Sequence, residues 1–319
     1  MAYIGQIIQK LRRRQMISQG ELAEKLQISV QAISKWETGK ANPDVLLLPQ
    51  IAKLLGVTID ELFCGEEENS PYGEVLELNH TGWNQVAETK WKGTYLPDYG
   101  PYTPSEDVLC LFGAGRGKKV LEWACGGGES LTWMGLRGVR ELWGLDLSQV
   151  RIAQARKLLK DNGLQGHLFC DTMERNPGIP QGYFDIVYSI YGLGWTLDLD
   201  STFDRAAEYL KSGGTLIFSW DNPLMWCVEA HNGEYLLKRS YTQEAEIKME
   251  KAGAGLCIHN WKISSYLNKL AERGFLLQRF VEETVVSPEE SKEFQEGKYY
   301  SAGKAGFINP TIIVKARKL

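Results

Sequence analysis

Three carboxylates spaced through the middle of this 319-residue chain, Glu122, Asp146 and Asp171, are the residues best placed to do chemistry. Glu122 follows the apolar pair Val120-Leu121 and precedes Trp123-Ala124-Cys125-Gly126-Gly127-Gly128. A short apolar strand, a glycine-rich turn and a helix starting at Ser130–Met134 form the opening of a nucleotide-binding α/β unit. Glycines, lacking a Cβ, let backbone approach a ligand. Alone, the pattern also fits a glycine-rich turn with no ligand. Asp146 closes a second apolar run, Glu141-Leu142-Trp143-Gly144-Leu145. An acid roughly 20 residues past such glycines sits where a ribose diol is gripped.

Five signals in order carry a resemblance: Glu122-x-Ala124-Cys125-Gly126-x-Gly128; Gly144-Leu145-Asp146-Leu147-Ser148; Cys170-Asp171; Phe184-Asp185-Ile186-Val187; and Leu210-Lys211-Ser212-Gly213-Gly214. Together they resemble a class I S-adenosylmethionine-dependent methyltransferase, nearest the small-molecule branch similar to the quinone-biosynthesis C-methyltransferases. The resemblance implies site roles residue by residue. Asp146, with Leu147 beside it, would hold the ribose diol of S-adenosylmethionine. Asp171 and Thr172 would meet the adenine. Gly126, Gly128 and Ala124 would let backbone approach the methionine part, and Glu122 would order its ammonium. Ile190 and Tyr191 would line the methyl end. Ala124 stands where the family usually has glycine, which is compatible with the fold if its φ is negative. Asp185, ahead of the fourth strand, reads as structural. NAD is the rival ligand for a glycine-rich loop plus acid; Asp171 and Lys211–Gly214 favour the methyl donor.

The elements that must position these residues read as strands alternating with helices, hence a parallel sheet. Ser148 caps a helix with Ile152, Ala155, Leu158 and Leu159 on one face, ending at Gly163. His167–Asp171 is the third strand and Ile186–Ile190 the fourth. A helix over Thr202–Leu210 leads through a Ser212-Gly213-Gly214 turn to a fifth strand at Thr215–Trp220. Ser264–Gly274 reads as a helix. Phe275–Val286 and Thr311–Ala316 are the last two strands, which the resemblance makes an antiparallel edge pair. The expected fold is therefore α/β, a Rossmann-like seven-stranded methyltransferase sheet with an antiparallel edge pair, spanning residues 73–319. Within it, 73–117 is an entry segment, 118–220 the cofactor-binding core and 221–262 a substrate-side insertion. Asn79-x-x-x-Trp83-Asn84-x-x-Ala87 resembles the family's N-terminal helix, which folds over the cofactor cleft. Trp83 is thereby a cofactor-side lid residue, the alternative being a helix packed on the outside. Trp91 and Tyr95 add to the aromatic content of this segment.

Residues 1–65 are of another kind. Ile4, Ile7, Ile8 and Leu11 fall on one helical face. Ser18 with Glu21 offers a capping box, and Leu22, Ala23 and Leu26 continue that helix. Val30, Ile33 and Trp36 mark a third helix ending near Gly39. Leu46, Leu47, Ile51, Leu54 and Leu55 mark a fourth, stopped by Gly56, and Thr58–Phe63 a fifth. Ser18-Gln19-x-x-Leu22-Ala23 with Ile33-Ser34-x-Trp36-Glu37-x-Gly39 resembles the Cro/C1-type (XRE family) helix-turn-helix domain. By that resemblance the helix from about Ser29 to Thr38 enters the major groove of duplex DNA. Gln31 is the first candidate for base readout, since a Gln amide pairs bidentately with adenine. Ser34 and Lys35 are second choices. Gln19, Lys40 and Asn42 would hold phosphates. All of these also fit a merely solvated face. The acidic, breaker-rich stretch before Pro71 places a linker at 66–72.

Bulk properties limit the alternatives. Net charge is −4, but residues 1–65 carry eight Lys or Arg against six Asp or Glu, a mildly basic module on an acidic body. That suits DNA contact by the small domain, and since one module makes few phosphate contacts a homodimer on a two-fold site is expected. Six scattered cysteines form no C-x-x-C pair, so no metal site is expected. With no apolar h-region behind Arg12-Arg13-Arg14 and no apolar run of about 20 residues, a cytoplasmic, non-membrane protein is expected. Gly192–Trp195, Trp220–Trp226 and the stretch to Trp261 supply an aromatic rim suited to a planar or greasy small-molecule acceptor, or simply to packing. His231 and His259 are candidates to take a proton from such an acceptor, against the plainer role of satisfied polar residues; Tyr191 is the third catalytic candidate. Three functions follow: a small-molecule methyltransferase bearing a DNA-binding module, a regulator whose methyltransferase fold only senses a ligand, and a nucleic-acid methylase. The third is disfavoured because Ser189-Ile190-Tyr191-Gly192 replaces the Asn/Asp-Pro-Pro-aromatic patch, although Asp221-Asn222-Pro223-Leu224 follows the fifth strand and Tyr191 could stack on a flipped base.

Overall fold

The computed structural model describes residues 4–59, 62, 72–87 and 95–319. The expected linker before Tyr72, Trp91 and most of the helix expected over Thr58–Phe63 lie outside the described residues. The chain divides into two compact units, one reaching to Glu77 and including Asn176–Ile179, the other made of Leu78–Arg175 and Pro180–Leu319.

In the first unit α1 (Ile4–Arg14), α2 (Gln19–Leu26), α3 (Val30–Glu37) and α4 (Leu48–Leu55) enclose Ile8, Leu22, Ile33, Trp36, Ile51 and Leu55. The capping box forms: Ser18 Oγ accepts from Glu21 N–H, and Glu21 Oε2 accepts from Ser18 N–H at 2.7 Å. Ser29 Oγ caps α3 by accepting from Ala32 N–H at 3.2 Å. A single 3-10 turn, Val45–Leu47, precedes α4, and Gly56 ends it with φ +65°. α1 and α3 are so close that a Cβ on Gly5 would stand 1.7 Å from Trp36 O. Beneath this contact Glu37 is buried, with Arg12 Nε donating to it at 2.6 Å and Gln9 and Gln19 donating to Oε2 at 3.0 and 2.8 Å.

The second unit is built on a seven-stranded sheet. Its strands are β1 (Lys119–Trp123), β2 (Glu141–Asp146), β3 (Gly166–Cys170), β4 (Phe184–Ser189), β5 (Leu210–Asp221), β10 (Phe275–Val281) and β11 (Thr311–Lys318), in the order β10-β11-β5-β4-β1-β2-β3. β1 to β5 run parallel, whereas β11 is antiparallel to both β5 and β10. Apolar residues such as Val120, Leu121, Ile186, Val187, Leu216 and Ile217 fill both faces of the central strands, as a sheet covered on both sides requires. α5 (Gly73–Val86) and the short α6 (Glu106–Leu109) precede the sheet. α7 (Glu129–Leu136) and α8 (Gln149–Asp161) pack on β2 and β3; α9 (Leu199–Tyr209) and α10 (Ile263–Glu272) pack on the half containing β4, β5 and β10. The region between β5 and α10 forms two antiparallel hairpins, β6–β7 (Val228–His231, Glu234–Leu237) and β8–β9 (Ala245–Lys251, Ala254–Asn260). A four-residue helix, α11 (Ala302–Ala305), precedes β11.

Two strand boundaries differ from the sequence reading. β5 begins at Leu210, so Ser212-Gly213-Gly214 is absorbed into it. Leu210 pairs with Phe184, and the register then slips before Ile186 pairs with Thr215. Gly213, at φ +78°, takes up the irregularity. β10 stops at Val281, not Val286. Past it Glu282 leaves the ladder: its backbone O accepts from the Asn309 amide and its carboxylate accepts from Asn222 Nδ2 at 3.1 Å.

Candidate cofactor and acceptor site

The sheet order reverses direction between β1 and β4. In open α/β sheets such a switch point leaves a crevice beyond the carboxyl ends of the strands, where ligands bind. Glu122 and Ala124 stand at the end of β1, Asp146 at the end of β2, Asp171 just past β3, and Tyr191 just past β4. The structure thus brings the sequence-predicted cofactor residues to one edge of the sheet.

The turn after β1 is tightly wound. Ala124, Gly126 and Gly128 have φ of +51°, +54° and +85°. Ala124 therefore does not keep the negative φ expected of it. An alanine there carries the left-handed strain that glycine avoids. Its neighbour explains what holds it: a Cβ on Gly192 would lie 2.5 Å from the Ala124 Cβ, so the β4 loop closes on this methyl group only because residue 192 is glycine. Gly128 caps α7, where a Cβ would meet Ala155 of α8 at 2.9 Å. Gly126 faces open space, and its N–H donates to Asp146 Oδ2 at 2.9 Å.

Asp146 Oδ1 accepts from Ser148 N–H at 2.8 Å. Each carboxylate oxygen thus takes one backbone N–H and keeps a second acceptor position. Burial raises the Asp146 carboxyl, while the Ser148 and Gly126 N–H groups oppose the shift. Leu147, half-buried, lies beside it, its carbonyl facing Cys170 Sγ. Asp171 N–H donates to Asp146 O at 3.1 Å, and Asp171 Oδ1 accepts from Thr172 N–H at 2.8 Å. Both Asp171 and Thr172 are buried.

Glu122 is 2% exposed, and its hydrogen-bonded neighbour is a neutral phenol, Tyr188, whose O–H donates at 3.2 Å. Burial drives its carboxyl well above the usual range, and the charges of Glu129 and Asp146 push the same way. A cation arriving there would reverse that shift. Asp185 is structural: it accepts from Lys211 Nζ at 2.7 Å and from Lys119 N–H at 2.8 Å.

α5 is fastened across the β2 end of the edge. Asn84 Oδ1 accepts from Ser148 Oγ at 2.8 Å, and Gln154 Nε2 donates to Ala87 O at 2.8 Å. On its other side Asn79 exchanges two 2.7 Å hydrogen bonds with the backbone of Cys257 on β9. Trp83 meets Trp195 edge-on at 4.8 Å, next to Val86 and Leu256. The asparagine–serine contact was not singled out from sequence; Asn84 and Ser148 lie 64 residues apart.

The candidate catalytic residues separate. His231 ends β6 on the surface, its side chain 54% exposed and beside Glu296 Oε1 at 3.2 Å. The structure does not bring it to the sheet edge, because the β6–β7 hairpin carries it outward. His259 stacks on Trp261 at 3.8 Å. Its Nδ1 is buried and unpartnered, and burial lowers its basicity. Ile190 is half-buried against the core. Tyr191, at φ +52°, donates its N–H nowhere in a ladder but to Ser219 Oγ at 2.9 Å, and its ring packs so near Gly100 that a Cβ there would be 2.3 Å away. Its phenol donates to Asp221 and lies 2.9 Å from the Tyr300 oxygen. Tyr300 and Tyr299 also donate to Asp221, at 2.7 and 3.0 Å. Sequence reasoning missed this cluster; the adjacent Tyr299-Tyr300 pair was its signal. Asn222 is committed to Leu224 N–H and Glu282, so Asp221-Asn222-Pro223 does not present a free amide for a base. A cavity of about 410 Å³ opens among the hairpins between Trp226, Arg239, Gln243, Lys248 and Asn260; neither Glu122 nor the glycine-rich turn lines it.

In the first unit Gln31, Lys35, Lys40 and Asn42 are exposed, Ser34 is half-buried and Ser29 serves as the α3 cap. One of the two amide N–H donors of Gln19 goes to Glu37, whose buried carboxylate needs donors. Arg12, part of the basic run, is likewise inside the fold. Among the described residues no group of three or more His, Cys, Asp or Glu is placed to hold a metal, and no helix is long and apolar enough to cross a membrane.

Comparison with known proteins finds two families along the chain. Residues 8–62 match a helix-turn-helix family and residues 120–214 a methyltransferase domain family. Over 60 residues, 19% of this chain and 29% of the relative, the sequence is 50% identical to the HTH-type transcriptional activator BcrR of Enterococcus faecalis. Over 103 residues, 32% of this chain and 44% of the relative, it is 35% identical to a ubiquinone biosynthesis O-methyltransferase of Azoarcus sp.. The chain thus spans less than half the length of either. An S-adenosylmethionine dependent methyltransferase structure from Mesorhizobium loti covers 66% of this chain and 96% of its own with a TM-score of 0.55 at 20% identity, which shows a shared fold. The chain carries a helix-turn-helix domain followed by a methyltransferase domain with the seven-stranded sheet and antiparallel edge pair of that fold.

Proposed function

We propose that this chain transfers a methyl group from S-adenosylmethionine to a small-molecule acceptor, and that its N-terminal module binds duplex DNA as a homodimer. One observation carries the reading: Glu122, the open backbone of Gly126, Asp146 and Asp171 converge at the ends of β1, β2 and β3 beside the switch point. They fit the donor. Asp146 keeps an acceptor position on each oxygen for a ribose diol. Asp171 and Thr172, just past the end of β3, would meet the adenine. The buried Glu122 carboxylate suits an ammonium. The donor supplies an electrophilic methyl; the chain supplies position and alignment, which convert a bimolecular encounter into a near-unimolecular one. The α5 strap over Ser148, with Trp83 against Trp195, helps to exclude water.

The likeness over 60 residues to a transcriptional activator favours a second role in regulating a gene, and a donor-sensing regulator without catalysis is the form that role would take if transfer failed. On the first reading the domains are 1–65 and 73–319 joined at 66–72, in a cytoplasmic protein. Incubating the full chain with labelled S-adenosylmethionine and fractionated cell extract tests it. Label should appear in a low-molecular-weight fraction. Donor binding with no transfer to any fraction leaves the sensor.

A further inference from the structure

Asp221 is the last residue of β5, 2% exposed, and three phenols converge on it. We propose that Asp221, Tyr191, Tyr299 and Tyr300 form the acceptor site and fix its polarity, so that it takes a planar aromatic acceptor through a hydroxyl that donates a hydrogen bond and turns anionic acceptors away. The proposal deepens the methyltransferase reading and rests on it.

The polarity follows from counting protons. An ionised carboxylate only accepts, and each phenol has a single proton to give. All three phenol protons are spent on Asp221. What the three oxygens offer outward is lone pairs. Tyr191 and Tyr300 both donate to Oδ1, and their oxygens lie 2.9 Å apart, so one incoming O–H can be shared between them. Asp221 is buried whereas the three tyrosines are half-buried, so the phenols are the more accessible part of the cluster and the carboxylate the less accessible. Burial lifts the Asp221 carboxyl to about 6, against the pull of the three phenols and Lys304. Three donors aimed at its two oxygens favour the carboxylate form, and a carboxylate repels anions. The other charged or titratable groups that act on it are Lys304, Lys251 and buried Tyr266. Lys304 is already committed, donating to Met225 O at 2.8 Å and Val228 O at 2.7 Å.

The surroundings select a flat ligand. From α5 a run of rings leads to the cluster: Trp83 to Trp195 at 4.8 Å, Trp195 to Trp220 at 5.7 Å, Trp220 to Tyr191 at 5.2 Å. On the far side Trp226 lies 4.5 Å from Tyr299. The cluster also sits at the switch point, since Tyr191 precedes the Gly192 that closes on Ala124 of the donor loop.

The test is calorimetric titration of the full chain with catechol, with its dimethyl ether and with benzoate. Catechol should bind at least about tenfold more tightly than the other two, roughly 1.4 kcal/mol. Asp221→Asn, whose amide can donate, should lose that preference and gain affinity for benzoate. Equal affinities for catechol and its ether in the native chain, no binding of catechol, or an unchanged preference in Asp221→Asn would each overturn the proposal. If that variant loses its circular dichroism, Tyr300→Phe decides: it keeps the ring, so catechol should weaken while the ether does not, and an equal effect on both overturns the proposal. S-adenosylhomocysteine titrated in parallel separates the two claims. Selectivity for catechol without binding of that ligand defeats the donor reading; donor binding without selectivity defeats this one.

Discussion

Ala124 holds φ +51° against Gly192, at the point where the donor loop meets the β4 loop. A left-handed L-residue costs about 1–2 kcal/mol, part of which a glycine would return as unfolded-state entropy. Ala124→Gly should therefore stabilise the chain by about 0.5–1 kcal/mol in urea denaturation, net of that entropy. Gly192→Ala should do the opposite, since two Cβ atoms cannot stand 2.5 Å apart. Asp221 makes a pH prediction of a different sort. Its folded carboxyl lies at about 6, above its ordinary value of 3.8, so the native state holds the proton more tightly. Its contribution to stability is then greatest below its ordinary value and falls as pH rises to about 6. Acceptor binding should run the other way, weakening as pH falls through about 6, because a protonated Asp221 gives a proton back to the cluster. Thermal melts and catechol titrations across pH 4–8 check both signs, and Asp221→Asn should flatten both curves.

At the scale of elements, the first unit depends on one buried ion pair linking α1 and α3. Burial works against the Glu37 charge, yet donors from Arg12, Gln19 and Gln9 prevail and hold its carboxyl below the usual range. That stabilisation is present above the ordinary glutamate range and is lost as pH falls through the lowered value. Glu37→Ala would strand Arg12 in the interior and should cost about 3–5 kcal/mol, seen as lost amide-exchange protection in α1 to α3. Ser18→Ala should cost about 1 kcal/mol by removing the α2 cap. These elements were legible because their signals are local: the Ser18–Glu21 spacing, the apolar face of α1, the acid that ends β2. Where a non-local contact decided, the sequence misled or was silent. The start of β5 depends on Phe184 pairing with Leu210, the end of β10 on Asn222 and Asn309 reaching Glu282. The φ of Ala124 depends on Gly192. Tyr299 and Tyr300 join Asp221 across 78 and 79 residues, a convergence that no spacing in the chain announces. His231, drawn to notice only by residue type, sits on an outward hairpin.

At the scale of the whole molecule, a basic module and an acidic enzyme-like body share one chain. If residues 1–65 read DNA through α3, affinity for an enriched duplex should fall steeply with salt, and Gln31→Ala should relax sequence preference by about 1–3 kcal/mol at one base position. Selection from random duplexes provides the duplex; failure to enrich any motif would remove the DNA-binding role while leaving the donor site untouched. That donor site is the central claim, and its most direct test is calorimetric titration of the full chain with S-adenosylhomocysteine, native beside Asp146→Ala. The account predicts saturable one-site binding to the native chain, weakened at least about tenfold in the variant, roughly 1.4 kcal/mol for the lost ribose contacts. Equal dissociation constants for the two proteins, or no heat of binding to the native chain, would contradict it.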